Sequence, residues 1–335
     1  MKFSDRIKNV NPSMTLAIDA KAKEMKANGE DVIGFGAGEP DFNTPERIKQ
    51  AGIRAIENNE TRYTPVGGSD ALKVAIISKL QRDNGLTYEK NQILASCGAK
   101  HSFYNLAQVL WQAGDEVIIP APYWVSFPEM VTLAGAHPII IHAGAEQDFK
   151  ITPEQIDNAV TPNTKAIMIN SPSNPTGSAY DKSELEKLAE CALRHNLLII
   201  SDEIYEQIVF DGFRHTSIAS ISNEVQKQCV VINGISKSYA MTGWRIGYIA
   251  AGDPEIVKQV TKLQGQSTSN PCSVSQVASI EALAGPLDEV HEMVREFEKR
   301  RNIIVDCLTQ IPGVSCNKPA GSFYSFPDFS GVYGK

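Results

Sequence analysis

The sequence predicts an α/β protein: a large domain built on a mainly parallel seven-stranded sheet, followed by a smaller α/β domain. Two observations predict it. Seven short apolar runs alternate with helical patterns between about residues 45 and 280, and strand–helix alternation is the mark of a parallel sheet with helices on its faces. Most of these runs are apolar throughout rather than at every second residue, as strands buried on both faces are. After about residue 280 the pattern changes to one long charged helix and short aromatic runs.

The elements follow in order. Thr44-Pro45 and Ser69-Asp70 open two helices before the first strand. Strands are expected at 92–95, 116–119, 138–141, 166–169, 197–200, 230–232 and 246–249. Thr152-Pro153-Glu154-Gln155 is a capping box with proline at the first helical position. Asp181 or Ser183 caps the helix that carries Leu185, Leu188 and Ala192. Residues 290–308 read as a long amphipathic helix, with Val294, Phe297, Ile303 and Val305 between acidic and basic residues. Val314, Gly321 and 322–326 then read as strands of the smaller domain.

Composition narrows the function. The 335 residues are 42% hydrophobic and 21% charged, a globular balance. A net charge of −7, with no basic tail, argues against nucleic acid as the main partner. No apolar run is long enough to span a membrane, and 1–6 lack the apolar core of a signal peptide. The six cysteines are scattered, without metal spacing, which reads as free thiols in a reducing cytoplasm.

In open α/β sheets ligands bind beyond the carboxyl ends of the strands. Polar, chemically unusual loops follow five of the expected strands: Ser96 to Lys100, Pro120 to Trp124, Asn170 to Gly177, Ser201 to Tyr205 and Asn233 to Lys237. The last runs into Ser236-Lys237-Ser238-Tyr239-Ala240-Met241-Thr242-Gly243-Trp244-Arg245. A lysine among hydroxyls, eight residues before an arginine, suits an amine that forms an imine with a phosphorylated aldehyde. Gly98-Ala99-Lys100 opens a helix straight after a strand, so its N–H groups can receive an anion; alone, it is also an ordinary strand-to-helix turn. No Gly-Lys-Ser/Thr follows, so it is not a P-loop. The glycines of 34–38 have the wrong spacing for a dinucleotide site.

The lysine run resembles the cofactor-lysine segment of the class I, fold-type I aminotransferases, which use pyridoxal 5′-phosphate (PLP). Two further segments share the resemblance, Asn170-Ser171-Pro172-Ser173-Asn174-Pro175-Thr176-Gly177 and Ser201-Asp202-Glu203-Ile204-Tyr205. It extends from about residue 10 to the end and is closest to the bacterial aspartate/prephenate aminotransferase branch. It implies a PLP-dependent transferase fold in which 1–44 belong to the small domain, 45–280 form the PLP-binding domain and 281–335 are an incomplete C-terminal part of the small domain.

The resemblance also implies roles. Lys237 forms the aldimine and shuttles the proton, Asp202 holds the ring nitrogen protonated, and Tyr205 and Asn174 bond the phenolic oxygen. Gly98, Ala99, Lys100, Ser236 and Arg245 form the phosphate cup, and Trp124 stacks on the ring. Taken singly, an aspartate at a strand end is more often a cap, Asn174 lies in a proline-rich turn, and Trp124 reads equally as a core residue. Gly38, Trp124 and Asn174 face the substrate. The partner subunit's Tyr63 reaches the phosphate, and 267–271 resemble a segment near the dimer interface, so a homodimer with shared sites is expected. No metal is expected.

The implied reaction is transfer of an amino group, from aspartate or glutamate, to a 2-oxo acid by ping-pong chemistry. Alternatives on the same scaffold are a β-lyase, an aminocyclopropane-carboxylate synthase or an inactive PLP-binding fragment. A PLP-binding transcriptional regulator would need a DNA-binding domain, for which 1–45 are too short. The family continues several tens of residues further and carries there an arginine for the substrate α-carboxylate. Here the last arginine is Arg301, so the chain is expected to be C-terminally truncated and to bind substrate weakly.

Overall fold

A computed structural model describes residues 2–36 and 38–334, the Leu16 side chain excepted. At its centre is a seven-stranded sheet in the order β1-β7-β6-β5-β4-β2-β3. The strands are β1 (Ile93–Ser96), β2 (Glu116–Ala121), β3 (His137–His142), β4 (Thr164–Asn170), β5 (Leu198–Asp202), β6 (Cys229–Gly234) and β7 (Gly247–Ala251). All seven expected strands are present, within a few residues of the expected bounds. β7 alone runs antiparallel, to both of its neighbours, and the other pairs are parallel. The continuous apolar runs have the expected cause: β1 and β7 are buried at every position, and so is β6.

Helices pack on both faces and define two cores. One joins Ile48, Leu72, Ile76, Ile93, Ile167, Leu188 and Tyr248. The other joins Phe103, Leu106, Val117, Phe127, Met168 and Val260 on the opposite face. Local chemistry fixes the helix starts. Ser69 Oγ accepts from Leu72 N–H ahead of the helix Asp70–Asn84. Thr152 and Gln155 cap each other at Pro153–Ala159, and Asp181, not Ser183, caps Lys182–Arg194 with Glu184. Pro45 immediately precedes the helix Glu46–Glu57, while Thr44 Oγ1 donates instead to the Ala240 carbonyl.

The long C-terminal helix spans Asp288–Thr309. Within it Arg301 is 5% exposed and donates to Asp211 Oδ2 and the Pro319 carbonyl. One expectation fails: 322–326 form no strand. The only strands of this region among the described residues are Ser315–Cys316 and Pro327–Asp328, a two-residue antiparallel pair. Gly321 makes a single bridge to Val209, and Ser322 N–H donates to the Ile208 carbonyl. The aromatic run thus turns inward, and Phe323 and Tyr324 pack on Ile204, Tyr205 and Phe297. Aromatic content alone does not separate a strand from a loop that buries its rings.

Among the described residues, no helix is long and apolar enough to cross a membrane. All six cysteines are free.

Candidate active site

Parallel pairing sets the carboxyl ends of β2, β4, β5 and β6 on one rim, and β1, antiparallel to the reversed β7, ends there too. Asn170, at the end of β4, pairs in register with Asp202, at the end of β5. Gly234 at the end of β6 and Ser96 at the end of β1 both pair with Gly247. Because β7 is antiparallel, its first residue lies at this rim, and Arg245, two residues earlier, arrives beside the loops that follow β1 and β6. One reversed strand therefore brings the arginine to the lysine's side of the sheet.

A cleft of about 440 Å³ opens here. Its walls include Gly38, Ala99, Lys100, Trp124, Asn174, Asp202, Tyr205, Ser236, Lys237 and Arg245. Gly98 lies behind Arg245. Tyr63, by contrast, is absent from the cleft wall and 91% exposed.

Lys237 Nζ donates to the Gly38 carbonyl at 2.5 Å and sits over the Tyr205 and Phe323 rings, 5.9 and 5.7 Å from their centres. Burial lowers its ammonium to about 8, with Arg245 adding to the effect and Glu39 and Asp202 opposing it. A nucleophilic amine at near-neutral pH follows. Asp202 is 7% exposed and accepts from Ile204 N–H at 3.2 Å. Burial raises its carboxyl to about 7, the state of a buried acid with no cation close enough to repay its desolvation.

Tyr205 Oη meets Tyr324 Oη at 2.8 Å, and Asn174 Nδ2 donates to Tyr324 Oη at 3.3 Å. Asn170 organises the corner: its Oδ1 accepts from Asn174 N–H at 2.8 Å and its Nδ2 donates to the Asp202 carbonyl at 3.1 Å. Trp124 packs edge-on to Phe127 at 5.2 Å and lies under Lys100 Nζ, 4.8 Å from the ring centre. It is therefore half core and half cleft wall, which joins the two readings of its sequence.

Arg245 donates to the Thr242 and Cys97 carbonyls, at 2.9 and 3.2 Å, beside the start of the helix Ala99–Leu110. Gly98, the residue before that helix, has φ 91° and ψ 158°, a region essentially reserved for glycine. A Cβ there would come within 2.8 Å of Arg245 Cζ and closer still to Nη2. The glycine makes room for the guanidinium at a helix N-terminus, which gives an anion cup.

Sequence reasoning passed over Tyr324 and Asn170. Asn170 belongs to the motif already read, and its register opposite Asp202 is what reveals it. Tyr324 lies 119 residues from Tyr205, and no local signal in 322–326 points to the cleft.

Residues 30–333 match the family model of the class I and II aminotransferases. The chain belongs to that family. It is 55% identical to the aspartate aminotransferase of Geobacillus stearothermophilus, over 98% of this chain and 83% of the relative. It is 49% identical to the aspartate/prephenate aminotransferase of Cereibacter sphaeroides, over 99% and 83%. Among solved structures, it superposes on the aspartate aminotransferase of Rhizobium meliloti with a TM-score of 0.97, at 43% identity, covering 100% of this chain and 84% of that one. With the aspartate aminotransferase of Thermus thermophilus bound to maleate the TM-score is 0.93, at 39% identity, covering 98% and 85%. This aminotransferase is thus a PLP-dependent enzyme of fold type I, and the cleft suits that cofactor. It offers a reactive amine, a buried acid for a ring nitrogen, phenol and amide groups for a ring oxygen, and a cup for a phosphate.

Proposed function

We propose that this aminotransferase takes its amino group from aspartate and passes it to a 2-oxo acid. The observation that carries the proposal is the convergence of Lys237, Asp202, Tyr205, Asn174 and Arg245 on one cleft, in a chain 53–57% identical to three proteins named aspartate aminotransferase.

Bound PLP supplies an electron sink for the electrons left when the substrate loses its α-proton. The chain's own residues do the rest. Arg245, Ser236 and the helix start at Ala99 and Lys100 bind the phosphate, with paired charge-assisted hydrogen bonds available from the guanidinium. Asp202 would hold a proton on the ring nitrogen, because a cation beside the buried carboxyl favours its charged form and offsets its desolvation. Tyr205 and Asn174 orient the ring through its oxygen, with Asn170 fixing Asn174. Trp124 covers one face and excludes water. Lys237 Nζ would take the α-proton of the substrate as general base and return a proton as general acid. Gly38 bounds the substrate side, where a Cβ would run into the Tyr324 hydroxyl.

The same reading assigns 1–44 and 281–335 to a small domain and 45–280 to the PLP-binding domain. It makes the enzyme a cytoplasmic homodimer in which the partner subunit's Tyr63 completes the phosphate cup. Tyr63 is 91% exposed on one chain, which leaves its side chain free to reach a neighbour. The tests are direct. Single-turnover reaction of the PLP-loaded protein should be faster with aspartate than with alanine or phenylalanine, and sedimentation should give twice the chain mass. Equal rates with the three amino acids would overturn the substrate assignment, and a monomer that retains full activity would overturn the shared site.

A further inference from the structure

We infer that Asp157, Cys191 and His195 form a binding site for one thiophilic divalent cation of the zinc class, remote from the PLP cleft. His195 stands just before β5 whereas Asp202 closes it, so the cluster lies toward the opposite rim of the sheet. Cys191 and His195 are four residues apart at the end of the helix Lys182–Arg194, with His195 as its C-cap. That spacing sets both side chains on one face. Asp157 comes from the neighbouring helix Pro153–Ala159.

The geometry is close to a coordination shell. One ligand atom from each residue lies within 4.8 Å of the others. Cys191 Sγ is 3.4 Å from Asp157 Oδ1. Bond lengths of about 2.3 Å to sulfur and about 2.1 Å to nitrogen or oxygen place neighbouring tetrahedral ligands roughly 3.3–3.6 Å apart, so this pair is already at spacing. His195 Nε2 and Asp157 Oδ1 are 2.5 Å apart; binding replaces that hydrogen bond and opens it by roughly 1 Å. Cys191 is fully buried, while the Asp157 and His195 side chains are 42% and 26% exposed. An ion therefore has a solvent path and an open fourth position for water. One sulfur, one imidazole and one carboxylate favour zinc-like ions over magnesium or calcium.

A cation already occupies part of this place. Arg194 Nη2 donates to the same Asp157 Oδ1 at 2.6 Å and to Cys191 Sγ at 3.4 Å. Its side chain is 51% exposed, so it can swing into solvent when a metal displaces it. The other trio of possible ligands among the described residues, Glu203, Glu206 and His215, has no such exit, because the buried Lys79 ammonium is paired with Glu206.

The site is tested on the PLP-loaded protein, stripped with chelator and titrated with zinc(II) against a chromophoric competitor. X-ray absorption then reads the ligand shell. One ion per chain with a single sulfur neighbour is expected, a signature that metal held by the cofactor phosphate cannot give. Cys191→Ser should remove the sulfur neighbour, and both it and His195→Gln should weaken binding by roughly tenfold or more. Arg194→Gln should tighten binding, because it removes the competing cation. Zinc bound without sulfur, or affinity unchanged in both His195→Gln and Arg194→Gln, would overturn the site. These last two variants lie at the surface and decide the matter even if Cys191→Ser fails to fold.

Discussion

Replacing Gly98 with alanine should damage the phosphate cup without touching any group that contacts the reacting atoms. Two costs can be worked from the structure. The backbone at φ 91°, ψ 158° costs a non-glycine residue about 1–3 kcal/mol, which urea unfolding of the cofactor-free protein should show as lost stability. The new Cβ would also come within 2.8 Å of Arg245 Cζ, so the guanidinium must leave the cup. Losing its hydrogen bonds to a charged ligand is worth about 1.5–3 kcal/mol, or PLP binding weaker by roughly 10- to 150-fold. The assay is an absorbance titration of apoprotein with PLP, run on Gly98→Ala, Arg245→Gln and the double variant. If the glycine acts through the arginine, the double variant should bind PLP about as weakly as Arg245→Gln alone, while the stability cost of Gly98→Ala remains. Unchanged PLP affinity in Gly98→Ala, or affinity losses that simply add, would refute the reasoning.

The remaining predictions concern charge. Asp202 is held up to about 7 by burial, so the folded apoprotein keeps a proton that the unfolded chain releases near its ordinary value of 3.8. Its contribution to stability is therefore complete below that value and is lost as pH rises through about 7. Asparagine mimics the neutral acid, so urea unfolding should show wild type losing stability relative to Asp202→Asn between about pH 4 and about pH 7; wild type gaining on the variant over that window would contradict it. Lys79 and Glu206 form a buried pair, with side chains 3% and 5% exposed. Burial alone would raise the Glu206 carboxyl, and Lys79 instead holds it below its usual range. Lys79→Met should cost about 3–5 kcal/mol by stranding that charge, and Lys79→Met/Glu206→Leu should recover much of the loss; equal losses in the two would show that the charge is not the cause.

Most of the scaffold was legible because its signals are local. A strand such as 230–232 is apolar at every residue because both faces are covered, and Thr152 with Gln155 spells a helix start within four residues. The cleft was legible where a strand end carries its own chemistry, as at Asp202, Asn174 and Lys237. What the sequence conceals depends on distant pairing. Arg245 was legible from the lysine run, but what brings it to the rim, β7 running against its neighbours, was not. Tyr324 reaches Tyr205 because Ala320 and Gly321 N–H groups donate to the Gly177 carbonyl and Ser322 N–H to that of Ile208, bonds spanning more than a hundred residues. The same holds for Lys79 and Glu206, which lie 127 residues apart. The reading of 322–326 as strand failed for this reason, since its rings are buried by the cleft rather than by a sheet.

The central claim is that Lys237 carries the cofactor and that the bound cofactor exchanges an amino group. The most direct measurement is the visible spectrum of the PLP-loaded protein before and after aspartate, alongside Lys237→Ala. Wild type should show the band of lysine-bound PLP, aspartate should convert it to that of the aminated cofactor, and a 2-oxo acid should restore it. Lys237→Ala should lack the lysine-bound band from the start. The same band in Lys237→Ala, or a wild-type band that no amino acid shifts, would contradict the account.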